Sequence, residues 1–302
     1  MNFTLKQLQI FTAVVKSGST LAASEALNIS QPAVSLAISE LESGLGTPIF
    51  DRWKKRMILN ERGRALVPAA RLLLANAEEV DILFSGSQRF LGNLRIGASA
   101  TLAGYVVPEL IADFAAEHPA IKIDVVCSNK SGIISKIEDW ELDIGFIAGR
   151  SSSQNIYNRP YLTDELCIFA SSSHPLTNKE TVTMEDLAQS SWIMREGGSG
   201  TKEVFMNSLP FGMGQLNVTM VSDNLELIKC AVAQSASLGC VSLNALSKDV
   251  NSGHLKILHT PYLNLKREYY IIMHKQRRKS SLLNVFIDFI DNFIPQKQQT
   301  LP

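Results

Sequence analysis

Residues 19–44, STLAASEALNISQPAVSLAISELESG, constrain the fold more than any other stretch, because they set two short amphipathic helices one tight turn apart. Ser19 is placed to cap a first helix carrying Leu21, Ala22, Ala26 and Leu27 on one face. Asn28 and Ile29 make the turn. Ser30 caps the next helix, and Pro32 suits its first turn, where a missing N–H leaves no helical bond unmade. In that second helix Val34, Ile38 and Leu41 recur at i, i+4 and i+7 and form one buried stripe. Gln31, Ser35 and Ser39 project elsewhere, with the short polar side chains needed by a helix lying in a DNA major groove. The pattern reads as a helix-turn-helix.

The flanking segments extend it. Residues 3–17 form a preceding helix with Leu5, Leu8, Phe11, Ala13 and Val15 in its core, ended by Gly18. Gly44 and Gly46 break the helical pattern, and extended segments at 48–50 and 57–59 flank the basic WKKR tip as a wing. The formal net charge of the chain is zero, yet Arg52, Lys54, Lys55, Arg56, Arg62 and Arg64 face only Asp51 and Glu61 over residues 51–64. Beside a helix-turn-helix this cluster is a phosphate-contacting footprint; without one it reads as a solvated loop. Asn60 caps a long helix from Glu61 to about residue 89, with Pro68 positioned to kink it. Leu66, Leu72, Leu73, Ala77, Val80 and Phe84 give that helix an apolar stripe that a partner helix would cover; packing on its own domain is the alternative.

At 302 residues the chain exceeds one small domain, and 45% hydrophobic with 19% charged residues supplies a sizeable core. No apolar run approaches a membrane span, and the start runs into an amphipathic pattern holding Lys6, unlike a secretory leader. A cytoplasmic protein is expected. Cys127, Cys167, Cys230 and Cys240 form no C-x-x-C pair and sit in apolar sequence, so reduced, buried thiols are expected, with a redox switch as the alternative. His118, His174, His254, His259 and His274 show no metal-ligand spacing. Neither a metal site nor a Ser/His/Asp or paired-carboxylate constellation can be assembled, so no enzyme is expected.

After Gly92 the periodicity changes. Strands at 94–98, 121–127, 144–148, 166–170, 192–194, 218–221, 238–241 and 269–273 alternate with helices at 102–118, 132–140, 201–209, 224–233 and 282–293. This is an α/β pattern, with a mainly parallel sheet and crossover helices. Small polar residues follow four strands: Ser99-Ala100-Thr101, Asn129-Lys130-Ser131, Ser199-Gly200-Thr201 and Ser222-Asp223-Asn224. Open α/β sheets bind ligands at that end, and helix N-termini favour anions. Each residue alone is also explained as an N-cap, Asp223 most of all, since a carboxylate repels an anion. Gly197, Gly198 and Gly200 permit close backbone approach without P-loop spacing. Arg195 either supplies charge to a ligand or pairs with Glu196 or another carboxylate.

The segments LKQLQIFTAVVKSGSTLAASEALNISQPAVSLAISELESGLGTPIFDR, LRIGAS, ELDIGFIAG and REGGSGT, in this order, resemble the LysR-type transcriptional regulators along essentially the whole chain. Asn60 stands where many members carry Thr, and either residue caps. The resemblance implies a winged helix-turn-helix at 1–59, a linker and dimerisation helix at 60–89, and at 90–302 a two-lobed effector domain like a periplasmic binding protein. Lobe I would take about 90–161 and 269–302, and lobe II about 162–268. It also implies a cytoplasmic regulator bound to promoter DNA, dimers joined through the long helices into a tetramer, and RNA polymerase as a further partner.

Within the family the chain is similar to members that regulate sulfur metabolism, on the block 164–201. Ser99, Ala100 and Thr101 match the first effector loop, Asn129 and Ser131 the second, Ala148 the end of the third strand, and Glu196, Gly198, Ser199 and Thr201 the opposite lobe. The effector expected is a small anion held largely by neutral donors (sulfite, sulfate or a small carboxylate), with no other cofactor. On DNA, Gln31 and Ser35 are assigned to the groove, Ser30 to a cap or a phosphate, and Pro32 to helix geometry or a thymine methyl. Arg52, Lys54, Lys55 and Arg56 are assigned to phosphate or the minor groove. A redox-sensing regulator is the alternative; a solute-binding protein, suggested by the two-lobe half alone, is disfavoured by the DNA-binding module.

Overall fold

Thr4 opens the first helix of the computed structural model, α1 (Leu5–Ser17), through a capping box with Gln7, and Gly18 closes it in the left-handed region at φ 72°. The structure describes residues 2–53, 56–84, 92–210, 216–277 and 281–293. It divides into two compact units, essentially at the junction of residues 91 and 92.

In the first unit α2 (Thr20–Leu27) is capped by Ser19 and ended by Asn28 at φ 54°. Helix α3 (Gln31–Leu45) is capped by Ser30 and holds Pro32 in its first turn. Val34, Ile38 and Leu41 are buried with Leu8, Phe11 and Ile49 in one core. Two details depart from the pattern read in sequence. Helix α2 buries Ala23 and Ser24, while Leu21 is exposed; in an eight-residue helix of small side chains, the flanking cap and turn set the inward face. Gly44 lies inside α3 rather than ending it, and a Cβ there would stand 1.9 Å from the Asn2 carbonyl oxygen. Gly46, at φ 69°, ends the helix. Strands β1 (Phe50–Trp53) and β2 (Arg56–Leu59) pair antiparallel as the wing. Helix α4 (Glu61–Phe84) follows, with the Asn60 side chain accepting from the Gly63 amide at 2.9 Å; positions 85–89 of the expected helix lie outside the described residues.

In the second unit β3 (Asn93–Ser99) leads into α5 (Ala100–Tyr105) and α6 (Val107–Glu117). The single helix expected at 102–118 is thus broken at Val106. Pro108 explains the break: it has no N–H for the Gly104 carbonyl, and its ring clashes with that group. Strand β4 (Lys122–Ser128), α7 (Lys130–Glu138) and β5 (Ile144–Ala148) complete a parallel triplet with β3 at its centre. Strand β6 (Ile156–Ser171) is far longer than the expected 166–170, because its first half, mostly only partly buried, is drawn into the sheet by pairing with the distant return strand at 266–274. After α8 (Met184–Gln189), the triplet recurs: β7 (Ser191–Arg195), α9 (Gly200–Ser208), β8 (Asn217–Ser222), α10 (Leu225–Ala233) and β9 (Ser237–Ser242), with β7 central.

Helix α11 (Leu243–Asn251) and β10 (Leu255–Ile257) precede the return strand β11 (Lys266–His274) and α12 (Ser281–Asn292). The strand order is β4-β3-β5-β11-β6-β9-β7-β8. Strand β6 pairs with β11 through Glu165 and with β9 from Leu166, so two lobes share it. The sheet is mixed, because β11 runs antiparallel to β5 and β6, and β6 antiparallel to β9. Separate apolar clusters cover both faces of each lobe. Among the described residues no helix is long and apolar enough to cross a membrane.

Candidate functional site

Two regions carry functional side chains. On α3 the inward stripe leaves Gln31, Pro32, Ser35, Leu36 and Ser39 exposed together. Ser30 acts as the cap, accepting from the Ala33 amide at 3.4 Å. Gln31 reaches back to the Thr20 hydroxyl at 3.2 Å, which holds its amide on the outer surface at the start of the helix. Leu36, 61% exposed, was missed in the sequence; its place one turn after Pro32 and off the buried stripe is the signal that finds it. Arg52 and Arg56 stand on the paired wing strands, while Lys54 and Lys55 lie outside the described residues.

The second region is a cleft between the lobes of the C-terminal unit, with a cavity volume of about 10 Å³, walled by Ser99, Ala100, Thr101, Asn129, Lys130, Ala148, Arg195, Ser199, Gly200 and Thr201. Its position follows from topology. β3 and β7 each have a neighbour on either side reached by successive crossovers, so each strand ends at a switch point where loops diverge. As the lobes stand, that volume is room for about one water, so only a small ligand is held without the lobes parting.

The pocket's hydroxyls are underused. Ser99 precedes α5 without capping it, and its Oγ is buried with no hydrogen-bond partner among the described residues. Ser199 precedes α9 and likewise makes no side-chain cap. The opening amides of α9 therefore lack both helical acceptors and a side-chain cap. Capping, which alone would explain both serines, does not occur. Asn129 does cap, accepting from the Gly132 amide at 2.8 Å. In the fourth segment Asn224, not Asp223, caps α10, accepting from the Glu226 and Leu227 amides. The expectation for Asp223 is corrected, and that segment does not line the pocket.

Both cations in the wall are already paired. Lys130 Nζ lies 2.8 Å from Glu203 in the opposite lobe. The Arg195 guanidinium meets Glu196 through two bonds of 2.8 and 3.0 Å, which settles its alternatives in favour of the ion pair. Glu196 is thereby turned to Arg195 rather than to the pocket wall. Ser131 and Gly198 also stand off the wall and bridge the lobes: the Ser131 amide and hydroxyl donate to the Gly198 carbonyl at 3.3 and 3.4 Å. A Cβ on Gly198, at φ +80°, would lie 2.7 Å from Ser131 Oγ; one on Gly200 would lie 2.4 Å from the Ala148 carbonyl oxygen.

Behind the pocket is a buried polar network that sequence reading missed. Arg267 on β11 donates to Asp164 at 2.7 Å, to Thr201 Oγ1 at 2.8 Å and to the Tyr269 hydroxyl at 3.3 Å. Asp164 also accepts from Ser242 at 2.7 Å and Asn244 at 3.2 Å. The available signal was a pair of charged residues in segments otherwise reading as core strands.

The thiols are less uniform than expected: Cys167 and Cys240 are buried, whereas Cys127 and Cys230 are exposed. Burial pushes the Cys240 thiol up to about 12 and raises those of Cys167 and Cys127. Thiolate reactivity requires a shift in the other direction.

Comparison with known proteins places both regions. Residues 5–64 match the bacterial regulatory helix-turn-helix protein model of the lysR family, and residues 87–294 match the LysR substrate binding domain. The chain is 38% identical over 291 residues to the uncharacterized HTH-type transcriptional regulator YeiE of Escherichia coli K12, covering 96% of this chain and 98% of that protein. A full-length point variant of OxyR from Pseudomonas aeruginosa superposes with a TM-score of 0.77 at 21% identity, covering 100% of both chains. Full-length CbnR in complex with its target DNA superposes with a TM-score of 0.64 at 19% identity, covering 96% of this chain and 99% of that one.

Proposed function

This chain belongs to the LysR family of bacterial transcriptional regulators, and from that premise we propose that a small oxyanion, held between the two lobes, controls how its N-terminal unit acts on promoter DNA. Sulfite and sulfate are the leading members of that class, followed by small carboxylates. The observation that carries this reading is the Ser99 hydroxyl, buried in the pocket wall without a partner among the described residues. A native structure rarely leaves such a group unsatisfied, and leaving it so costs about 1–3 kcal/mol unless a ligand bonds it. The amides opening α9 add donors and a partial positive charge. Because Lys130 and Arg195 already have carboxylate partners, neutral donors do most of the holding.

The DNA-binding half offers a polar edge in Gln31 and Ser35, with apolar contacts from Pro32 and Leu36 suited to a thymine methyl. The wing cations Arg52, Lys54, Lys55 and Arg56 fit the phosphate backbone. Helix α4 joins two copies into a dimer, and effector domains join dimers into a tetramer in the cytoplasm. Anion binding alters the angle between lobes, and with it the spacing of DNA readers in the assembly. The raised thiols of Cys127, Cys167 and Cys240 favour this metabolite reading over a redox sensor.

Isothermal titration of the full-length protein with sulfite, sulfate, thiosulfate and small carboxylates tests the proposal, paired with mobility shifts on the promoter adjoining its own gene. Saturable binding that alters the shifted species is expected. Absence of heat with every anion would refute the effector assignment.

A further inference from the structure

Thr201 faces the pocket from the first turn of α9, and its hydroxyl has no freedom in how it bonds. Arg267 Nη1 donates to Thr201 Oγ1 at 2.8 Å. A guanidinium has donors and no acceptor, so this bond takes a lone pair of the hydroxyl oxygen and cannot run in reverse. The hydroxyl proton must point away from Arg267. Thr201 is 3% exposed and lines the pocket, and its hydroxyl donates to no atom among the described residues. The proton is left for whatever occupies the pocket.

Arg267 cannot take the ligand itself. Its side chain and that of Asp164 are each 1% exposed and lie 2.7 Å apart, and its remaining nitrogen donates to Tyr269. Asp164 is fixed in turn by Ser242 and Asn244. Thr201 is where this network meets the pocket wall.

We infer that Arg267 is a positioning residue for the effector: it makes Thr201 an obligate donor, so that corner of the pocket takes a ligand atom that offers a lone pair. The inference rests on the reading of the pocket as an oxyanion site and adds to it the residue that fixes the polarity of one contact. Sites of fixed hydrogen-bond polarity reject the wrong partner because a buried group is then left unpaired.

The test is calorimetric titration of the full-length protein with sulfate and sulfite. Thr201→Ser is expected to keep wild-type affinity, and Thr201→Val to lose about tenfold. In Arg267→Lys a single ammonium can hold Asp164 but not Thr201 as well, and affinity falls several-fold in the folded variant. Because Arg267 acts through Thr201, the double variant Arg267→Lys with Thr201→Val loses no more than Thr201→Val alone. Wild-type affinity in Thr201→Val, or additive losses in the double variant, would overturn the inference alone. If Arg267→Lys does not fold, the Thr201 pair decides. Failure of the wild type to bind either anion would overturn the oxyanion reading and this inference together.

Discussion

Tyr105 and Glu226 join the two lobes of the effector half: the phenol on α5 donates to the carboxylate on α10 at 2.6 Å. Lys229, one turn along α10, sits 2.9 Å from Glu226 and 2.8 Å from Asp249, with its ammonium 5.7 Å from the centre of the Tyr105 ring. Burial pulls that ammonium down, but the bonds to Asp249 and Glu226 outweigh it and keep Lys229 charged. Burial, then the bond to Glu226, raises the Tyr105 phenol, so it remains a donor throughout the neutral range.

Tyr105→Phe removes the donor and leaves the ring. The expected loss is about 1 kcal/mol of interlobe stabilisation, the usual net value of one hydrogen bond. If anion binding draws on the closed arrangement, affinity for sulfate falls several-fold alongside a small drop in melting temperature. Calorimetry and differential scanning fluorimetry on the same variant check this. A lowered melting point with unchanged affinity would confine the bond to stability.

Gly200→Ala should damage binding without unfolding the protein. The added methyl meets the Ala148 carbonyl oxygen at 2.4 Å, and backbone on both sides leaves no flexible group to move aside. Lobe II must retreat from lobe I, opening the pocket between Ala148 and α9. Gly197→Ala is the control, since a Cβ there meets nothing within 4 Å. A loss of about tenfold or more in anion affinity is expected for the first and near wild-type affinity for the second. Equal behaviour of the two variants would show that close approach at Gly200 is unimportant.

What was legible in the sequence depended on how locally each feature is encoded. Ser19, Ser30 and Asn60 were readable as caps because a cap needs only its own side chain and the next few amides. The central strands were readable as short apolar runs. The partly buried first half of β6 was not, since only its pairing with β11 makes it a strand. Ser99, Thr101, Ser199 and Thr201 came to light through their place at strand ends, but that Ser99 would go unbonded depends on α5 lacking a side-chain cap. Arg267 and Thr201 are 66 positions apart, and no local pattern joins them. The expected burial of Leu21 and Cys127 failed for a similar reason: hydrophobicity alone does not say which face of a short helix or edge strand turns inward.

Gln31→Ala and Arg52→Ala should separate the two components of DNA binding. Gln31 is exposed at the start of α3 and can offer a donor and an acceptor to one adenine edge. Its truncation is expected to cost about 1–3 kcal/mol on the operator and little on random DNA. Arg52→Ala removes a wing charge, so affinity for both DNAs falls alike and the slope of log K against log salt drops by about one. Competition binding at several salt concentrations measures both. Equal losses for Gln31→Ala on operator and random DNA would contradict its assignment to the groove.

Asp186 gives lobe II an acid-sensitive element. The Lys179 ammonium, 2.7 Å away, and then the Thr183 amide hold its carboxyl down to about 2, against 3.8 for an ordinary aspartate. A carboxylate whose pKa is depressed by folding stabilises the folded state above its unfolded value. That contribution is therefore complete above about pH 4 and is lost as pH falls toward about 2. Asp186→Asn keeps an acceptor for the Thr183 amide but has no charge to titrate. The difference in urea midpoint between wild type and Asp186→Asn should be constant from neutrality to mild acid and shrink below about pH 4. Because Lys179 is half-exposed, added salt should reduce the difference at every pH. A difference that persists unchanged at the acid end would mean that the charge of Asp186 contributes nothing beyond its capping bond.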